Sequence, residues 1–358
     1  MQTSSHTRAL RQTLLKTAVV LVSVSCALLA GEAFVRFGAK AWPFEQDLKR
    51  FPYLTEKDRN LRWRFSPEEG RNSLGLRNAE VTPKQSSQRR ILFLGDSLVW
   101  SGHTSLGGML YTRVIEKNLN DALGAKGRPI QVINAGVPGY TTYQELEFLK
   151  VYGLDMQPDV VVLVFALNDV FYKYLHKPAE DDFLTAHPDS GLHRFNTKTF
   201  PGSLFAKSHL AHKSFYAAET LAKKITGRPA YPFEHRYDLY LSWKDYGWDD
   251  TRALLGEMRG LLDERGIKLI VVSFPAQNQV DERYLAPDRE YVLFPQRKLE
   301  ELCKDANIPF VNLWDLIHSR GGVGLYSDYI HLNGTGNDLV AAELTRYLIE
   351  HRSLWFDK

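Results

Sequence analysis

The sequence predicts a three-layer α/β/α domain built on a central parallel five-stranded sheet, preceded by one transmembrane helix at the N-terminus. From residue 89 onwards, five short apolar runs rich in Val and Ile alternate with longer amphipathic stretches. A separate uncharged run, residues 17–31, lies near the N-terminus. Alternation of strands with helices is typical of an open sheet that carries helices on both faces.

The five apolar runs are the predicted strands. They occupy residues 91–94, 130–134, 159–167, 267–274 and 309–314. Their apolar residues are continuous, which indicates strands buried on both faces, as in a parallel sheet. Helices are predicted at 106–124, 141–155, 250–265, 289–306 and 334–350. This order of elements predicts a flavodoxin-like fold.

The N-terminal apolar run, Thr17–Gly31, predicts a membrane-spanning helix. With the apolar residues that flank it, the run reaches the length of about 20 residues that a spanning helix needs. Three basic residues precede it: Arg8, Arg11 and Lys16. Residues 1–36 are therefore predicted to be a cytoplasmic tail and an N-terminal single-pass anchor. Because a large domain after one such segment is commonly exported, we expect the rest of the chain to be extracytoplasmic or periplasmic.

Two other interpretations of the apolar run stay open. A cleaved signal peptide would use Gly31 and Ala33, but Glu32 stands between them and no clean small-x-small site follows the run. Lipid modification of Cys26 is a weaker alternative, because Ser23 stands where an aliphatic residue would be expected. The uncleaved anchor is the favoured interpretation.

Two segments of the chain lack the strand–helix alternation. Residues 37–88 show no sustained period and are predicted to be a membrane-proximal segment that ends in a polar linker, 82–88. Residues 89–355 are the predicted globular domain, and within it residues 171–249 form an insertion rich in Tyr, Phe, His and Trp. The insertion contains an amphipathic stretch, 203–225, and either packs ordinarily or forms a lid.

Composition and charge exclude several classes of protein. The chain has 45 Lys and Arg against 42 Asp and Glu, and basic residues alternate with acidic ones, so no nucleic-acid-binding surface is predicted. Its two cysteines cannot form a disulfide framework. His209 and His212 lie three residues apart without an acidic or cysteine cluster, so no metal site is predicted.

Ser97 is a candidate nucleophile because of where it follows the first strand. Strand 91–94 runs into the sequence GDSL, residues 95–98, and open α/β sheets bind ligands at the carboxyl ends of their strands. A plain strand-end turn would also explain this tetrapeptide. The G-x-S-x-G motif of another hydrolase class is absent.

Asp328 and His331 are a candidate acid–base pair. They stand three residues apart before the last helix, so the carboxylate can accept a hydrogen bond from imidazole Nδ1 and leave Nε2 to take a serine proton. The alternative is that Asp328 only caps a turn and His331 is merely exposed.

Two loops between these segments carry candidate hydrogen-bond donors. Residues 134–141 follow the second predicted strand, and residues 166–169 follow the third. A glycine N–H from the first loop and the Asn168 side chain from the second are the kind of donors that an oxyanion hole needs. Each loop taken singly is better explained as a turn.

Together, the four blocks resemble the GDSL, or SGNH, hydrolase superfamily over residues 89–350. The resemblance implies that Ser97 is the nucleophile and that Asp328 and His331 complete the triad. Ser97, Gly139 and Asn168 correspond to the oxyanion-hole donors; Gly139 is preferred to Gly136 because it stands five residues beyond the strand-end asparagine.

One departure from the superfamily pattern falls in the third block. The usual Gly-x-Asn-Asp block is Ala166-Leu167-Asn168-Asp169 here, so the glycine is lost while the donor is kept. Asp96 and Asp169 are interpreted as carboxylates that hold loops. The N-terminal run together with residues 72–77, NSLGLR, also resembles a bacterial membrane-tethered subgroup of the superfamily.

The resemblance implies a serine esterase that works through an acyl-enzyme and needs no cofactor. The expected partners are an ester substrate, namely an acylated glycan or lipid, and the membrane through the N-terminal helix. Some relatives in the tethered subgroup add or remove O-acetyl groups on envelope or exported polysaccharides. Transfer of the acyl group to a glycan hydroxyl is an alternative, and a non-catalytic tethered protein of envelope assembly is another.

Overall fold

The centre of the protein is a sheet of five parallel strands, seen in a computed structural model. The structure describes residues 3–38, 60–61, 64–65, 67, 70–124, 128–171, 208–226, 231–235 and 239–357. The strands are β1 Arg89–Gly95, β2 Ile130–Gly136, β3 Val160–Phe165, β4 Lys268–Ser273 and β5 Phe310–Asn312. Their order is β2-β1-β3-β4-β5, and every pair is parallel. The predicted fold class is confirmed.

Helices follow the strands in the order that the sequence predicts. In the described residues the α-helices are α1 Thr3–Gly38, α2 Ser97–Trp100, α3 Tyr111–Leu123, α4 Thr142–Phe148, α5 His209–Ile225, α6 Trp248–Asp263, α7 Glu282–Leu285, α8 Arg289–Val292, α9 Phe294–Asp305, α10 Trp314–Arg320 and α11 Gly334–Glu350. The helix predicted at 106–124 begins later, at Tyr111, because residues 102–110 form a loop. After α4 the chain stays helical through a π turn, Leu149–Gly153, and a 3-10 turn, Leu154–Met156.

The sheet is buried on both faces, which explains its continuous apolar sequences. Every residue of β3 is buried, and six of the seven residues of β1 are buried. Leu92 of β1 pairs with Ile133 of β2 and with Val161 of β3. From β1 the chain passes to β2 on one side and later to β3 on the other, so the topological switch point lies between β1 and β3. Ligands of such sheets bind at the carboxyl ends beside this switch point.

The described part of the insertion 171–249 is helical and aromatic. The amphipathic stretch forms α5, which begins after Ser208. Further along, the ring of Phe233 stacks on Trp243 at a centroid distance of 3.7 Å and on Tyr231 at 5.1 Å, and all three rings are buried. The part of the insertion that carries these three rings therefore packs as core. Residues 172–207, where the lid alternative would also apply, lie outside the described residues.

Helix α1 contains the segment that the sequence predicts to span a membrane. Its residues Leu15–Phe34 have a mean hydropathy of 1.9, and none of that window is buried. It is the one helix in the described residues with the length and composition of a span, and a signal sequence would satisfy the same criteria.

The chain divides into two compact units, 1–50 with 178–228 and 51–177 with 229–358. Within the first, the Glu32 carboxylate accepts hydrogen bonds from Ser208 Oγ and from the N–H of Leu210, at 2.8 and 2.9 Å. The finer division that the sequence predicts at residues 36, 88 and 355 stays a prediction.

Candidate active site

Ser97 begins the short helix α2 immediately after β1. Asp96 caps the helix, and its Oδ1 accepts a hydrogen bond from the N–H of Leu98 at 2.8 Å. The next strand leaves little space here: a Cβ on Gly136 at the end of β2 would lie 2.2 Å from the backbone nitrogen of Trp100. Glycine at that position therefore lets α2 approach the sheet edge closely.

The structure brings the three predicted triad residues into one hydrogen-bonded chain. His331 Nε2 lies 2.7 Å from Ser97 Oγ, and His331 Nδ1 lies 2.7 Å from Asp328 Oδ2. The second carboxylate oxygen, Asp328 Oδ1, accepts from the backbone N–H groups of Ile330 and His331 at 2.9 and 2.8 Å. Asp328 therefore caps its turn, as the alternative interpretation holds, and it also orients the imidazole.

The loop that carries Asp328 and His331 is a closed turn. Tyr326 and Leu332 form an antiparallel bridge, and the N–H of Ser327 donates to the carbonyl of His331 at 2.8 Å. Burial alone would raise the pKa of Asp328, but the hydrogen bonds from the backbone and the ring of His331 and from Ile330 lower it overall. The ionised form, which holds the imidazole N–H, is therefore favoured.

Asn168 follows β3 in a 3-10 turn, Leu167–Phe171. Its side-chain Nδ2 donates to Asp96 Oδ2 at 3.1 Å, and an amide nitrogen carries two N–H bonds. The turn closes without the glycine usual in this block. Asp169 Oδ2 accepts from the N–H of Ala166 at 2.6 Å, and Ser242 Oγ donates to the carbonyl of Leu167 at 2.5 Å.

Gly139 lies in the loop after β2, in a turn closed by the N–H of Tyr140 donating to the carbonyl of Val137 at 3.0 Å. Its φ of +80° is in the left-handed region, which favours glycine. Strands β1, β2 and β3 are neighbours with β1 in the middle. Ser97, Gly139 and Asn168 therefore follow three adjacent strand ends at the same edge of the sheet.

Three buried carboxyl groups belong to this edge: Asp96, Asp169 and Glu145, which lies on α4. Burial raises the pKa of Asp169 and of Glu145 well above the ordinary values, and the charges of neighbouring carboxylates raise them further. Asp96 and Asp169 hold loops, in agreement with their interpretation from the sequence. Sequence reasoning missed Glu145, because nothing in the sequence of α4 distinguishes it from Glu147. Among the described residues, no cluster of His, Cys, Asp and Glu has a metal-binding arrangement.

A small, open cleft lies over Ser97. It is lined by Ser97, Leu98, Ser101, Gly102, His103, Phe274, His331, Leu332 and Asn337. The residues Leu98, Phe274 and Leu332 are 5, 2 and 4% exposed, so they present little apolar surface to the cleft. Asn337 Nδ2 donates to the carbonyl of His103 at 2.7 Å, which holds the loop after α2 against α11. Of these nine residues, the sequence predicts Ser97 and His331 as site residues.

The model of the GDSL-like lipase/acylhydrolase family matches residues 93–339, which include all five predicted site residues. No curated protein sequence matches the chain.

Solved structures with a similar fold include a lipase/acylhydrolase from Enterococcus faecalis that is 17% identical. The alignment covers 74% of this chain and 96% of that one, with a TM-score of 0.41. A catalytic mutant of an acetylxylan esterase from Geobacillus stearothermophilus is 16% identical, covers 72% and 93%, and has a TM-score of 0.42. A GDSL-like lipase from Bacteroides thetaiotaomicron is 16% identical, covers 75% and 91%, and has a TM-score of 0.37.

Proposed function

Because the chain belongs to the GDSL-like lipase/acylhydrolase family, we propose that it is a serine esterase with Ser97 as its nucleophile and His331 as its base. The observation that carries this proposal is the unbroken chain from Ser97 Oγ to His331 Nε2 and from His331 Nδ1 to Asp328, with 2.7 Å at each step. Nucleophile, base and orienting carboxylate within hydrogen-bond reach are the arrangement that activates a hydroxyl.

The reaction would proceed in two acyl-transfer steps. Ser97 Oγ forms a bond to the ester carbonyl carbon while its proton passes to His331 Nε2. The tetrahedral intermediate then collapses, the carbon–oxygen bond to the alcohol breaks, and the imidazolium returns its proton to the departing oxygen. Water attacks the acyl-enzyme with His331 again as the base, which releases the acid and restores the serine.

The developing oxyanion would be held by three donors, the N–H groups of Ser97 and Gly139 and the side-chain amide of Asn168. Each donor of this kind contributes about a hundred- to a thousand-fold in rate. The orientation of Asn168 by Asp96 supports this role, because a preorganised donor needs no rearrangement when charge develops.

The cleft favours a small acyl group such as acetyl. Phe274 and Leu332 are buried and close its apolar side. Together with an N-terminal helix of membrane-spanning length, this supports O-acetyl groups on cell-envelope or exported polysaccharides as the substrate.

The test is ester hydrolysis by the purified full-length chain in detergent. We expect it to release p-nitrophenol from the acetate ester faster than from the octanoate ester, and to release acetate from acetylated polysaccharide. Ser97→Ala should abolish turnover and labelling by a fluorophosphonate probe. Ser319→Ala, an exposed serine on α10, is the matched control and should keep both.

Three outcomes would change the proposal. Label or turnover that persists in Ser97→Ala would show that another serine acts. Acyl transfer to an added glycan in preference to water would make the protein an O-acyltransferase with the same acyl-enzyme. A wild-type chain that reacts with neither esters nor the probe would favour a non-catalytic role in envelope assembly.

A further inference from the structure

The segment NSLGLR, residues 72–77, folds as a tight loop against the hydrolase core. Asn72 Oδ1 accepts hydrogen bonds from the N–H groups of Leu74 and Leu76, at 3.0 and 2.9 Å. Gly75 has a φ of +75°, and a Cβ there would lie 1.9 Å from the carbonyl oxygen of Phe65, so only glycine fits. Leu76 is completely buried. The loop thus leads directly to Arg77 in a fixed position.

Arg77 bonds the end of the helix that Ser97 begins. Its Nη1 donates to the carbonyl oxygens of Trp100 and Ser101, at 3.0 and 2.6 Å. Its guanidinium also lies over the Trp100 ring, 5.4 Å from the ring centroid. Ser101, the C-cap of α2, has a φ of 54° and donates its N–H to the carbonyl of Ser97 at 2.9 Å. One turn of backbone therefore separates Arg77's acceptors from the nucleophile.

The neighbouring residue, Asn78, forms side-chain hydrogen bonds with the backbone of Asn134 on β2. Its side chain donates to the carbonyl of Asn134 at 2.6 Å and accepts from the N–H of Asn134 at 3.2 Å. The side chain of Asn134 in turn donates to the carbonyl of Val99 at 2.7 Å. The carbonyls of Trp100 and Ser101 are thus bonded by Arg77 directly, and that of Val99 by Asn134, which Asn78 holds.

We propose that Arg77 is a positioning residue that fixes Ser97 at hydrogen-bond distance from His331 by holding the C-terminal carbonyls of α2. A helix of four residues closes too few internal hydrogen bonds to hold its own geometry. Asp96 holds its first turn and Arg77 its last, so the position of Ser97 depends on both ends. This inference rests on the proposed function, because it assigns a purpose to the contact only if Ser97 reacts.

The test uses Arg77→Met and Arg77→Lys in the full chain. Methionine keeps the apolar stem of Arg77 and removes its N–H donors. Lysine keeps the positive charge but has no planar guanidinium to lie over the Trp100 ring. We expect kcat for p-nitrophenyl acetate to fall by about 10- to 100-fold in Arg77→Met with little change in KM, since displacements of about 1 Å carry costs of this size. Arg77→Lys should fall less. The rate of fluorophosphonate labelling should fall in parallel with kcat.

Two further measurements separate positioning from general folding. Guanidinium chloride below its denaturing range should raise the kcat of Arg77→Met, whereas the same concentration of sodium chloride should not. Arg265→Met is the matched control, because Arg265 also donates to a helix carbonyl, that of Leu261 at 2.8 Å, but does so at α6. It should keep its full kcat and its labelling rate.

An unchanged kcat in Arg77→Met, with Ser97-dependent turnover in the wild type, would overturn this inference and leave the proposed function intact. Equal losses in Arg77→Met and Arg265→Met would also overturn it. If Arg77→Met does not fold, the same criterion applies to Arg77→Lys. Absence of turnover in the wild type would instead contradict the proposed function itself.

Discussion

The side-chain amide of Asn168 donates to the carboxylate of Asp96 at 3.1 Å, so the residue that precedes Ser97 orients the amide that follows β3. The same carboxylate accepts from the N–H of Leu98 with its other oxygen. Asp96 thereby couples the first and third blocks of the site. Burial raises its pKa, but the hydrogen bond from Leu98, the nearby His331 and Asn168 oppose that rise.

The first prediction concerns this coupling. Asn168→Ala should lower kcat by about 100-fold or more with little change in KM, because an oxyanion donor acts mainly in the transition state. Asp96→Asn keeps an acceptor for Leu98 but places an amide NH₂ opposite that of Asn168, so kcat should fall by about 10-fold. Steady-state kinetics with p-nitrophenyl acetate measures both.

The double variant tests whether Asp96 acts through Asn168. If it does, Asp96→Asn should cost little more once Asn168 is already alanine, which is the non-additivity of residues that share one interaction. Fully additive losses would mean that Asp96 affects catalysis by another route. An unaltered kcat in Asn168→Ala would show that this amide does not reach the oxyanion.

The second prediction concerns Asp328. Asp328→Asn should lower kcat by between about 10² and 10⁴, because the imidazole is then held in the wrong tautomer. The Asp328 side chain is 44% exposed, so we expect the lower part of this range. A kcat within a factor of two of the wild type would contradict the triad.

The sign of a stability effect follows from the pKa of Asp328. Hydrogen bonds in the folded state lower that pKa, so the folded protein gains stability above the unfolded pKa of about 4. That gain is lost as the pH falls through the lower folded value. Asp328→Asn should therefore narrow the difference in unfolding free energy between pH 6 and pH 3, as measured by urea titration.

The third prediction concerns Glu145, which is completely buried with no hydrogen-bond partner on either carboxylate oxygen among the described residues. Burial first, and then the charges of Asp169 and Asp96, raise its pKa well above the usual value. The folded state then binds more protons than the unfolded state, so stability falls as the pH rises above about 4.3. One such group changes the unfolding free energy by at most about 1.4 kcal/mol per pH unit.

Glu145→Gln removes this titration while keeping the shape of the side chain. Its unfolding free energy should fall less between pH 5 and pH 8 than that of the wild type, by urea titration at each pH. Glu264→Gln, an exposed glutamate after α6, is the matched control and should follow the wild type. A parallel pH dependence in Glu145→Gln and the wild type would contradict the raised pKa.

The fourth prediction concerns the size of the acyl group. Phe274→Leu should enlarge the cleft and raise the ratio of butyrate to acetate ester hydrolysis by about 10-fold, because two accommodated methylene groups are worth about 0.8 kcal/mol each. Phe310→Leu, on β5 of the same sheet and not among the cleft residues, is the control. An unchanged ratio in Phe274→Leu would mean that Phe274 does not limit the acyl chain.

The strands and the triad spacing were predictable because both are local in the sequence. β3 is a continuous run of apolar residues that is buried at every position, and Asp328 and His331 lie within one turn of chain. The rule that parallel strands end at one edge predicts that Ser97, Gly139 and Asn168 lie together. The resemblance adds His331, which is 234 positions from Ser97 in the sequence. The family predicted from these blocks is confirmed by the match over residues 93–339.

What could not be predicted depends on tertiary contacts that leave no local pattern. Arg77 belongs to a segment without periodicity, and its acceptors on α2 lie 23 and 24 positions away. Glu145 and Glu147 both lie on α4, and nothing local in the sequence shows that Glu145 is the one near the buried carboxylates Asp96 and Asp169. The start of α3 at Tyr111 depends on a loop whose Ser101 has a left-handed φ of 54°, which serine rarely adopts.

The last prediction concerns the N-terminal helix and the location of Ser97. Residues Leu15–Phe34 form 20 residues of α1 with a mean hydropathy of 1.9, and a helix of this length spans about 30 Å of hydrocarbon. Near the end of that segment, Glu32 is bonded to Ser208 Oγ and the N–H of Leu210, so its carboxylate is satisfied at what would be the membrane interface.

We therefore expect an uncleaved N-terminal anchor with Ser97 outside the cytoplasm. A reporter fused after Lys358 should be active in the periplasm or outside the cell, and the intact protein should stay in the membrane fraction after alkaline carbonate washing. Mass spectrometry that finds a mature chain starting near Phe34 would contradict the anchor and leave export standing. A reporter active only in the cytoplasm would contradict both, and polysaccharides of the envelope would then be out of reach of Ser97.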